Sequence, residues 1–237
     1  MASRAATISA IQGSEANQTV LRRQLLAIAH ELHARGWVAN HDGNVTVRMG
    51  PDRLLATPTA LSKRVLTDTD LIVVDAHNHV LHGGRKPFSE IALHRAVYAV
   101  RPDVRAVVHT HAPHATGLAV AGVAIEPRMI AEAVVSLGAE VPLLAYGFPQ
   151  SAEQLAALGQ QAKLHDGCTL GNHGVLAWGD DLEQAFLRAE LIEHLAAIQL
   201  RALQAGRVQT VPQADLVRLL QARTKAGLGP EARATAK

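Results

Sequence analysis

Hydrophobic positions along this chain recur with two periods, which together predict helices interleaved with strands. Leu21, Leu25, Ile28 and Leu32 follow one another at spacings of four, three and four residues, and Gly36 stands where such a helix would end. Further helices are predicted at residues 89–101, at 126–137, from 151, at 181–205 and from 212.

Short β-rich runs separated by turn residues predict the strands. Residues 45–57 and 71–81 each match two strands around a tight turn, and further strands are predicted at 104–111, 140–145 and 168–178. Because tight turns join neighbouring strands, we expect an α/β chain whose sheet is largely antiparallel or mixed, with helices packed on it.

The strand predicted from residue 104 ends in a pair of histidines. His109 and His111 lie two residues apart, and side chains at positions i and i+2 of a strand project from the same face. Neutral imidazole is a common ligand of divalent transition metals, and three histidines can hold zinc while leaving a position open. The pair therefore supplies two ligands of a possible metal site.

His173 is the best candidate for a third ligand, since Gly171 and Gly174 let the backbone around it pass close to other atoms. Chance is the competing explanation. The chain has 13 histidines, and a second His-x-His, at His77 and His79, falls in a predicted hairpin turn. Spacing alone therefore does not decide between a metal site and a coincidence.

Composition describes an ordinary globular protein, with 48% hydrophobic and 19% charged residues in 237. No linker or charge block divides the chain, which favours one domain at residues 15–225, between a mobile arm at 1–14 and a polar tail at 226–237. The net charge is +2 and the basic residues are scattered, so we expect no nucleic-acid partner.

Cysteine usage and the N-terminal sequence bear on localisation. The single cysteine, Cys168, cannot form an internal disulfide, and the first 17 residues lack the apolar core of a signal peptide. No apolar run approaches the ~20 residues that cross a bilayer. We therefore expect a cytoplasmic protein with no membrane partner.

Several short motifs occur in an order that resembles the class II aldolase/adducin family. The resemblance covers roughly residues 15–225 and is strongest to the bacterial L-fuculose-phosphate aldolases. No single motif is specific, but the ordered set is. Its motifs are Gly43-Asn44, Thr57-Pro58-Thr59, Ser89-Glu90, Arg101-Pro102-Asp103, Val107-Val108-His109-Thr110-His111 and Asn172-His173-Gly174.

The resemblance implies a fold, an assembly and a ligand set. It implies a three-layer α/β/α sandwich around a mixed, largely antiparallel sheet, and a homotetramer with active sites at subunit contacts. His109, His111 and His173 would hold Zn²⁺ or another divalent transition metal. Glu90 would be the acid/base and a fourth metal ligand. From sequence alone, Glu90 is simply an acid in the first turn of a helix that Ser89 caps.

The same resemblance implies a substrate pocket and a reaction. Neutral imidazoles leave the metal its full charge, which can stabilise an enediolate while Glu90 moves a proton. We expect a metal-dependent lyase that performs (retro-)aldol cleavage of a ketose, ketose phosphate or hydroxy keto acid. The alternatives are decarboxylation of a carboxylated sugar or hydroxylated aromatic acid, sugar-phosphate epimerisation, and a non-catalytic adducin-like domain. The implied pocket residues are Gly43, Asn44, Thr59, Ala60, Phe88 and Ser89.

Three positions depart from the pattern of the aldolases. Ala60 replaces a glycine, Phe88 replaces a serine hydroxyl, and Arg128 stands where a tyrosine from the neighbouring subunit is expected. An arginine is a poor proton donor and a good carboxylate clamp. We therefore expect a carboxylated or unphosphorylated substrate to be preferred. The alternatives are that Arg128 forms an ordinary ion pair, and that a phosphate is still held between Asn44, Thr59, Ser89 and Lys63.

Overall fold

The structure is a computed structural model, and it describes residues 15–148 and 150–235. The arm predicted for residues 1–14 lies outside the described residues. Within the described ranges, no helix combines the length and the apolar composition needed to cross a membrane.

The strands form one eight-stranded sheet in the described part of the chain, in the order β4-β3-β2-β1-β5-β8-β7-β6. Every neighbouring pair is antiparallel except β6 and β7, which are parallel. The predicted mixed, largely antiparallel sheet is confirmed. The strands are β1 (Asn44–Gly50), β2 (Arg53–Ala56), β3 (Ile72–Val74), β4 (Val80–His82), β5 (Ala106–Thr110), β6 (Leu143–Leu144), β7 (Gly167–Leu170) and β8 (Gly174–Gly179).

Helices occupy both faces of this sheet. Short 3₁₀ turns at Lys63–Val65, Asp68–Asp70 and Pro127–Met129 add to them. The α-helices are α1 (Glu15–Ala34), α2 (Ile91–Val100), α3 (Pro113–Val120), α4 (Ala131–Leu137), α5 (Ala152–Leu164), α6 (Leu182–Ala205), α7 (Gln213–Lys225) and α8 (Gly229–Thr235).

Alternate residues of the central strand enter two separate hydrophobic cores. Ala106 and Val108 of β5 pack into a core with α1, α3, α4 and α6, whereas Val107 packs into a second core with α2 and α5. Successive side chains of a strand point to opposite faces, so the sheet lies between two helical layers. The predicted α/β/α sandwich is confirmed. His109 projects to the same face as Val107, towards α2.

Two of the predicted helices begin or continue differently in the structure. Residues 126–137 are not one helix, because Ile130 is extended (φ −135°, ψ 125°) and separates the 3₁₀ turn from α4. The prediction that Ser89 caps α2 is wrong. The residue at the cap position is Glu90, and its carboxylate makes no bond to the helix backbone.

The segment from residue 226, predicted as a polar tail, includes the short helix α8, which is tied to the body of the protein through Asp166. The side chain of Asp166 is fully buried, and four guanidinium groups lie around it. Its carboxylate oxygens lie 3.0 Å from Arg101, 3.5 Å from Arg188, 2.6 Å from Arg223 and 3.1 Å from Arg233. Burial raises the pKa of Asp166, but the arginines outweigh this effect and hold it below its usual range. This ion cluster fastens α7 and α8 to α6 and to the end of α2.

Replacing the central carboxylate should destabilise the fold. Asp166→Asn leaves four arginines around a neutral group, and we expect the free energy of unfolding to fall by about 3–5 kcal/mol in urea denaturation at neutral pH. Because the pKa of Asp166 is lowered on folding, its contribution is present above the unfolded pKa and is lost as the pH falls through the folded pKa. The stability of Asp166→Asn should therefore fall less than that of wild type as the pH is lowered through the folded pKa of Asp166.

Asp103→Asn is the matched control for this experiment. Asp103 also pairs with Arg101, but its side chain is 44% exposed, so we expect a change within about 1 kcal/mol. Equal denaturation midpoints for Asp166→Asn and wild type would contradict the assigned role of the cluster.

Candidate metal centre

His109 is held in one orientation by the strand next to it. Its ring is fully buried, and its Nδ1 donates a hydrogen bond to the carbonyl oxygen of Val175 in β8, 2.8 Å away. Burial lowers the pKa of His109 to about 3, so the ring is neutral at neutral pH. With its proton on Nδ1, His109 presents the lone pair of Nε2 to the site.

His111 lies just beyond the end of β5 and turns towards the same point. Its Nε2 lies 3.1 Å from Nε2 of His109, and its Nδ1 lies 3.4 Å from the carboxylate of Asp42. Asp42 favours a proton on Nδ1, which leaves the lone pair of His111 on Nε2. Two lone pairs facing each other at this distance repel, and a cation between them would remove the repulsion.

The turn between β7 and β8 brings in His173. Gly174 follows it, and a Cβ at that position would lie 2.3 Å from the carbonyl oxygen of Thr110 and 2.8 Å from the His111 ring. Only glycine lets the turn pass this close to the end of β5. The rings of His109 and His173 lie 4.7 Å apart between centroids, and those of His111 and His173 lie 5.0 Å apart.

Glu90 completes the cluster from the start of α2. Its Oε1 lies 2.6 Å from Nε2 of His173, and its Oε2 lies 3.5 Å from Nε2 of His109. Asn44 donates a hydrogen bond of 3.0 Å to the same Oε2. Burial alone would raise the pKa of Glu90, but the bonds from His173 and Asn44 help to hold it well below its usual range. Glu90 is therefore a carboxylate at neutral pH.

The four groups together fit a divalent metal ion. One ligand atom from each of Glu90, His109, His111 and His173 lies within 4.8 Å of the other three. Ligand atoms held at 2.0–2.1 Å from a tetrahedral zinc lie on the order of 3.4 Å apart. Neutral imidazoles and one carboxylate are donors that suit such an ion. The structure thus brings together all four of the ligands that the sequence predicted.

A comparison with known families gives a match over most of the chain. The profile of the Class II Aldolase and Adducin N-terminal domain matches residues 23–200. The chain belongs to the class II aldolase and adducin family. This confirms the resemblance on which the predicted site was based.

Similar proteins of this family have related names. A 5-methylthioribulose-1-phosphate/5-deoxyribulose-1-phosphate aldolase of Rhodospirillum rubrum is 35% identical over 210 residues, covering 86% of this chain and 91% of the relative. A methylthioribulose-1-phosphate dehydratase of Acidiphilium cryptum is 32% identical over 186 residues, covering 75% of this chain and 88% of the relative. The crystal structure of L-fuculose-1-phosphate aldolase from Thermus thermophilus matches with a TM-score of 0.67 and 27% identity, over 78% of this chain and 96% of that one.

In this enzyme of the class II aldolase family, two of the predicted pocket residues contact the metal cluster. Gly43 and Asn44 lie beside it. Gly43 has a positive φ of 67°, and a Cβ there would meet the carbonyl oxygen of His109 at 2.9 Å. The backbone N–H of Thr59 donates a hydrogen bond to the carbonyl oxygen of Lys86, and Ala60 is exposed. Ala60 has a φ of 54°, a left-handed conformation that favours glycine.

Phe88 and Arg128 both have contact partners within the chain. The Phe88 ring is buried in the core beside α2 and meets the His94 ring edge-on at 5.1 Å, whereas its neighbour Ser89 is exposed. Arg128 forms a two-pronged ion pair with Glu126, with contacts of 2.7 and 2.5 Å. The ring does not project into open space, and within one chain the guanidinium already has a carboxylate partner.

Two buried groups lie near the cluster, of which the sequence reasoning missed His94 and named Lys63 only as part of an alternative phosphate site. His94 is fully buried and contacts Asn44, and burial lowers its pKa to about 3. Lys63 is also buried, and burial lowers its pKa to about 8 even though Asp42 and Glu90 act to raise it. His94 follows Glu90 by four residues on one helix face, and that spacing was the signal available in the sequence.

We expect the purified protein to bind about one divalent ion per chain and His111→Ala to lose most of it, because the variant lacks one of four converging ligands. Elemental analysis after dialysis measures the metal content. His79→Ala is the control, since His79 belongs to the other His-x-His motif, in the exposed β3–β4 turn. Equal metal content in wild type and His111→Ala would rule out the assignment.

Proposed function

We propose that this enzyme holds a divalent transition metal, zinc in the first instance, and cleaves a carbon–carbon bond of a ketose 1-phosphate by a retro-aldol reaction. The observation that carries the proposal is the convergence of Glu90, His109, His111 and His173 on one point in a fold of this family. A bound divalent ion would supply positive charge that neutral imidazoles lack.

Glu90 is the group positioned to move a proton. Its carboxylate is ionised, and it stands at the start of α2 without a bond to the helix backbone, so rotation of its side chain leaves the helix intact. In retro-aldol cleavage, the hydroxyl on the far carbon loses its proton and becomes the aldehyde. The electron pair of the broken bond passes to the carbon next to the carbonyl. We propose that the Glu90 carboxylate accepts the proton lost by the hydroxyl and then delivers it to that carbon.

The buried lysine supports an anionic substrate. Nζ of Lys63 donates to the carbonyl oxygen of His41 at 3.0 Å. An ammonium has three N–H donors, and a buried one is costly unless its remaining donors find partners. Lys63 lies close enough to Asp42 and Glu90 for their charges to act on its pKa. A phosphate oxygen beside this cluster would provide the missing acceptor.

Phosphate now accounts for the pocket better than a carboxylate does. The expectation of a carboxylated or unphosphorylated substrate rested on Phe88 narrowing the pocket and on Arg128 being free to clamp a carboxylate. The Phe88 ring is buried in the core, and Glu126 holds the Arg128 guanidinium. The similar proteins from Rhodospirillum rubrum and Acidiphilium cryptum are both named for ketose 1-phosphates.

Dehydration is the second candidate reaction. The Acidiphilium cryptum relative is named as a dehydratase, and elimination of water also begins with a proton transfer next to a carbonyl. The same carboxylate and metal site could therefore serve either reaction. Homotetrameric assembly, with active sites at subunit contacts, stays a prediction from the family resemblance. A cytoplasmic location stays a prediction from cysteine usage and the N-terminal sequence.

The products distinguish the proposed reactions. We expect the zinc-loaded protein to convert 5-deoxyribulose 1-phosphate, 5-methylthioribulose 1-phosphate or fuculose 1-phosphate into dihydroxyacetone phosphate and an aldehyde. Mass spectrometry and a coupled assay for dihydroxyacetone phosphate measure this outcome. A product lighter by one water would favour dehydration, and an isomer of equal mass would favour epimerisation. Release of carbon dioxide from carboxylated substrates, with the phosphates untouched, would refute the proposal.

Glu90→Gln should keep the metal and lose turnover. The amide preserves the size of the side chain and can still offer one oxygen to the metal, but it cannot exchange a proton. We expect kcat to fall by roughly 100-fold or more while metal content stays close to that of wild type. Glu132→Gln, an exposed substitution on α4, controls for the change of charge. Near-normal turnover of Glu90→Gln would leave Glu90 as no more than a metal ligand.

A further inference from the structure

A line of hydrogen bonds runs from the core to Glu90. The Tyr98 hydroxyl lies 2.9 Å from Oγ1 of Thr46, which lies 2.8 Å from Nδ1 of His94. Nε2 of His94 lies 2.6 Å from Oδ1 of Asn44, and Nδ2 of Asn44 lies 3.0 Å from Oε2 of Glu90. These five residues join helix α2 to strand β1 beneath the metal cluster.

The spacing of the residues explains why they meet. Glu90, His94 and Tyr98 follow one another at intervals of four residues, so they lie on one face of α2, with Glu90 at its start. Asn44 and Thr46 are two apart on β1 and share the sheet face that α2 covers. Helix and strand thus contribute alternate members of one line.

The donor and acceptor of each hydrogen bond follow from the Glu90 carboxylate at the end of the line. An ionised Glu90 only accepts, so Asn44 must donate to it through Nδ2 and turn Oδ1 towards His94. His94 must then carry its proton on Nε2 and accept at Nδ1 from the Thr46 hydroxyl. The Tyr98 hydroxyl can donate to Thr46 in turn. The donors of Thr46, His94 and Asn44 point towards Glu90, an arrangement in which successive bonds strengthen one another. The single hydroxyl proton of Tyr98 can also go to the carbonyl oxygens of Thr46 and Arg105, 3.2 and 3.3 Å away.

We propose that His94 is a positioning residue, which fixes the amide of Asn44 in the orientation that presents an N–H to Glu90 and so holds the carboxylate at the metal cluster. A rotated amide would face Glu90 with its oxygen, and the two oxygens would repel. Water cannot easily repair the line, because Thr46 and His94 are fully buried and Asn44 is 3% exposed. This inference rests on the proposed metal site but not on the proposed reaction.

Metal affinity tests the inference without any substrate. We expect His94→Phe, which fills the same space but has no hydrogen-bonding atoms, to bind Zn²⁺ about 10–100-fold more weakly in a competition titration with a chromophoric chelator. His94→Gln retains an amide N–H that can reach Asn44, and it should recover much of that affinity. With Co²⁺ in place of zinc, the visible absorption spectrum should change in His94→Phe and return towards that of wild type in His94→Gln.

Leu93→Ala separates positioning from loss of packing. Leu93 is the buried neighbour of His94 on α2 and belongs to the core on that face, so its truncation lowers the Tm without touching the hydrogen-bonded line. We expect Leu93→Ala to keep the metal affinity of wild type. Three results would overturn the proposal. The first is an unchanged metal affinity in His94→Phe. The others are that Leu93→Ala or His94→Gln loses as much metal affinity as His94→Phe does.

A measurement on the wild-type protein covers the case in which His94→Phe does not fold. Nitrogen-15 NMR of the ring should show His94 protonated at Nε2 and accepting a hydrogen bond at Nδ1. Protonation at Nδ1 instead would overturn the proposal. If these tests succeed and no ketose 1-phosphate is cleaved, the proposed reaction is wrong while the role of His94 stands.

Discussion

The candidate site depends on the register of β5 between β1 and β8. In this register Asn44 lies opposite His109 on one side, and the carbonyl of Val175 receives the ring proton of His109 on the other. A slip of one residue would turn His109 to the opposite face of the sheet, away from Glu90. The hydrophobic alternation of β5 between two cores opposes such a slip, since it would place Val107 and Val108 on the wrong sides.

The ends of β7 and β8 that lie away from the metal cluster are held by ion pairs and hydrogen bonds around Asp166. Asp166 immediately precedes β7, and His173 comes in the turn that follows it. Arg188 of α6 joins the Asp166 cluster and also donates a hydrogen bond to the Trp178 carbonyl of β8. The two strands that deliver His173 are therefore anchored at the ends remote from the metal cluster. At the near ends, close backbone approach at Gly174 leaves the turn little freedom.

The features that would govern the chemistry lie outside the four converging ligands. A three-histidine and carboxylate cluster suits several reactions that begin next to a carbonyl, as the names of the aldolase and dehydratase relatives illustrate. Lys63 brings a buried positive charge near the cluster, and the line through His94 governs how Glu90 is held. Differences in such surrounding groups are a physical route by which one fold could support different outcomes.

The sequence alone determined what depends on short spacings and on the order of motifs. The hairpin turn at His77 and His79, the aligned pair His109 and His111, and the α/β class follow from periods of two and 3.6 residues. The resemblance added His173 and Glu90, which the structure then placed beside that pair. Those groups could be found because each lies at a fixed offset within a recognisable motif.

Only the tertiary structure decided how distant segments use their polar groups. Ser89 looked like a cap from its local sequence, but it does not lie at the cap position, which Glu90 occupies. Phe88 was expected to narrow the pocket, but its ring is buried in the core beside α2 and meets the His94 ring. The bond between Asn44 and Glu90 spans 46 positions of sequence. Local propensity acts over a few residues, whereas such contacts exist only after β1, β5 and α2 have packed together, so no spacing in the chain could have announced them.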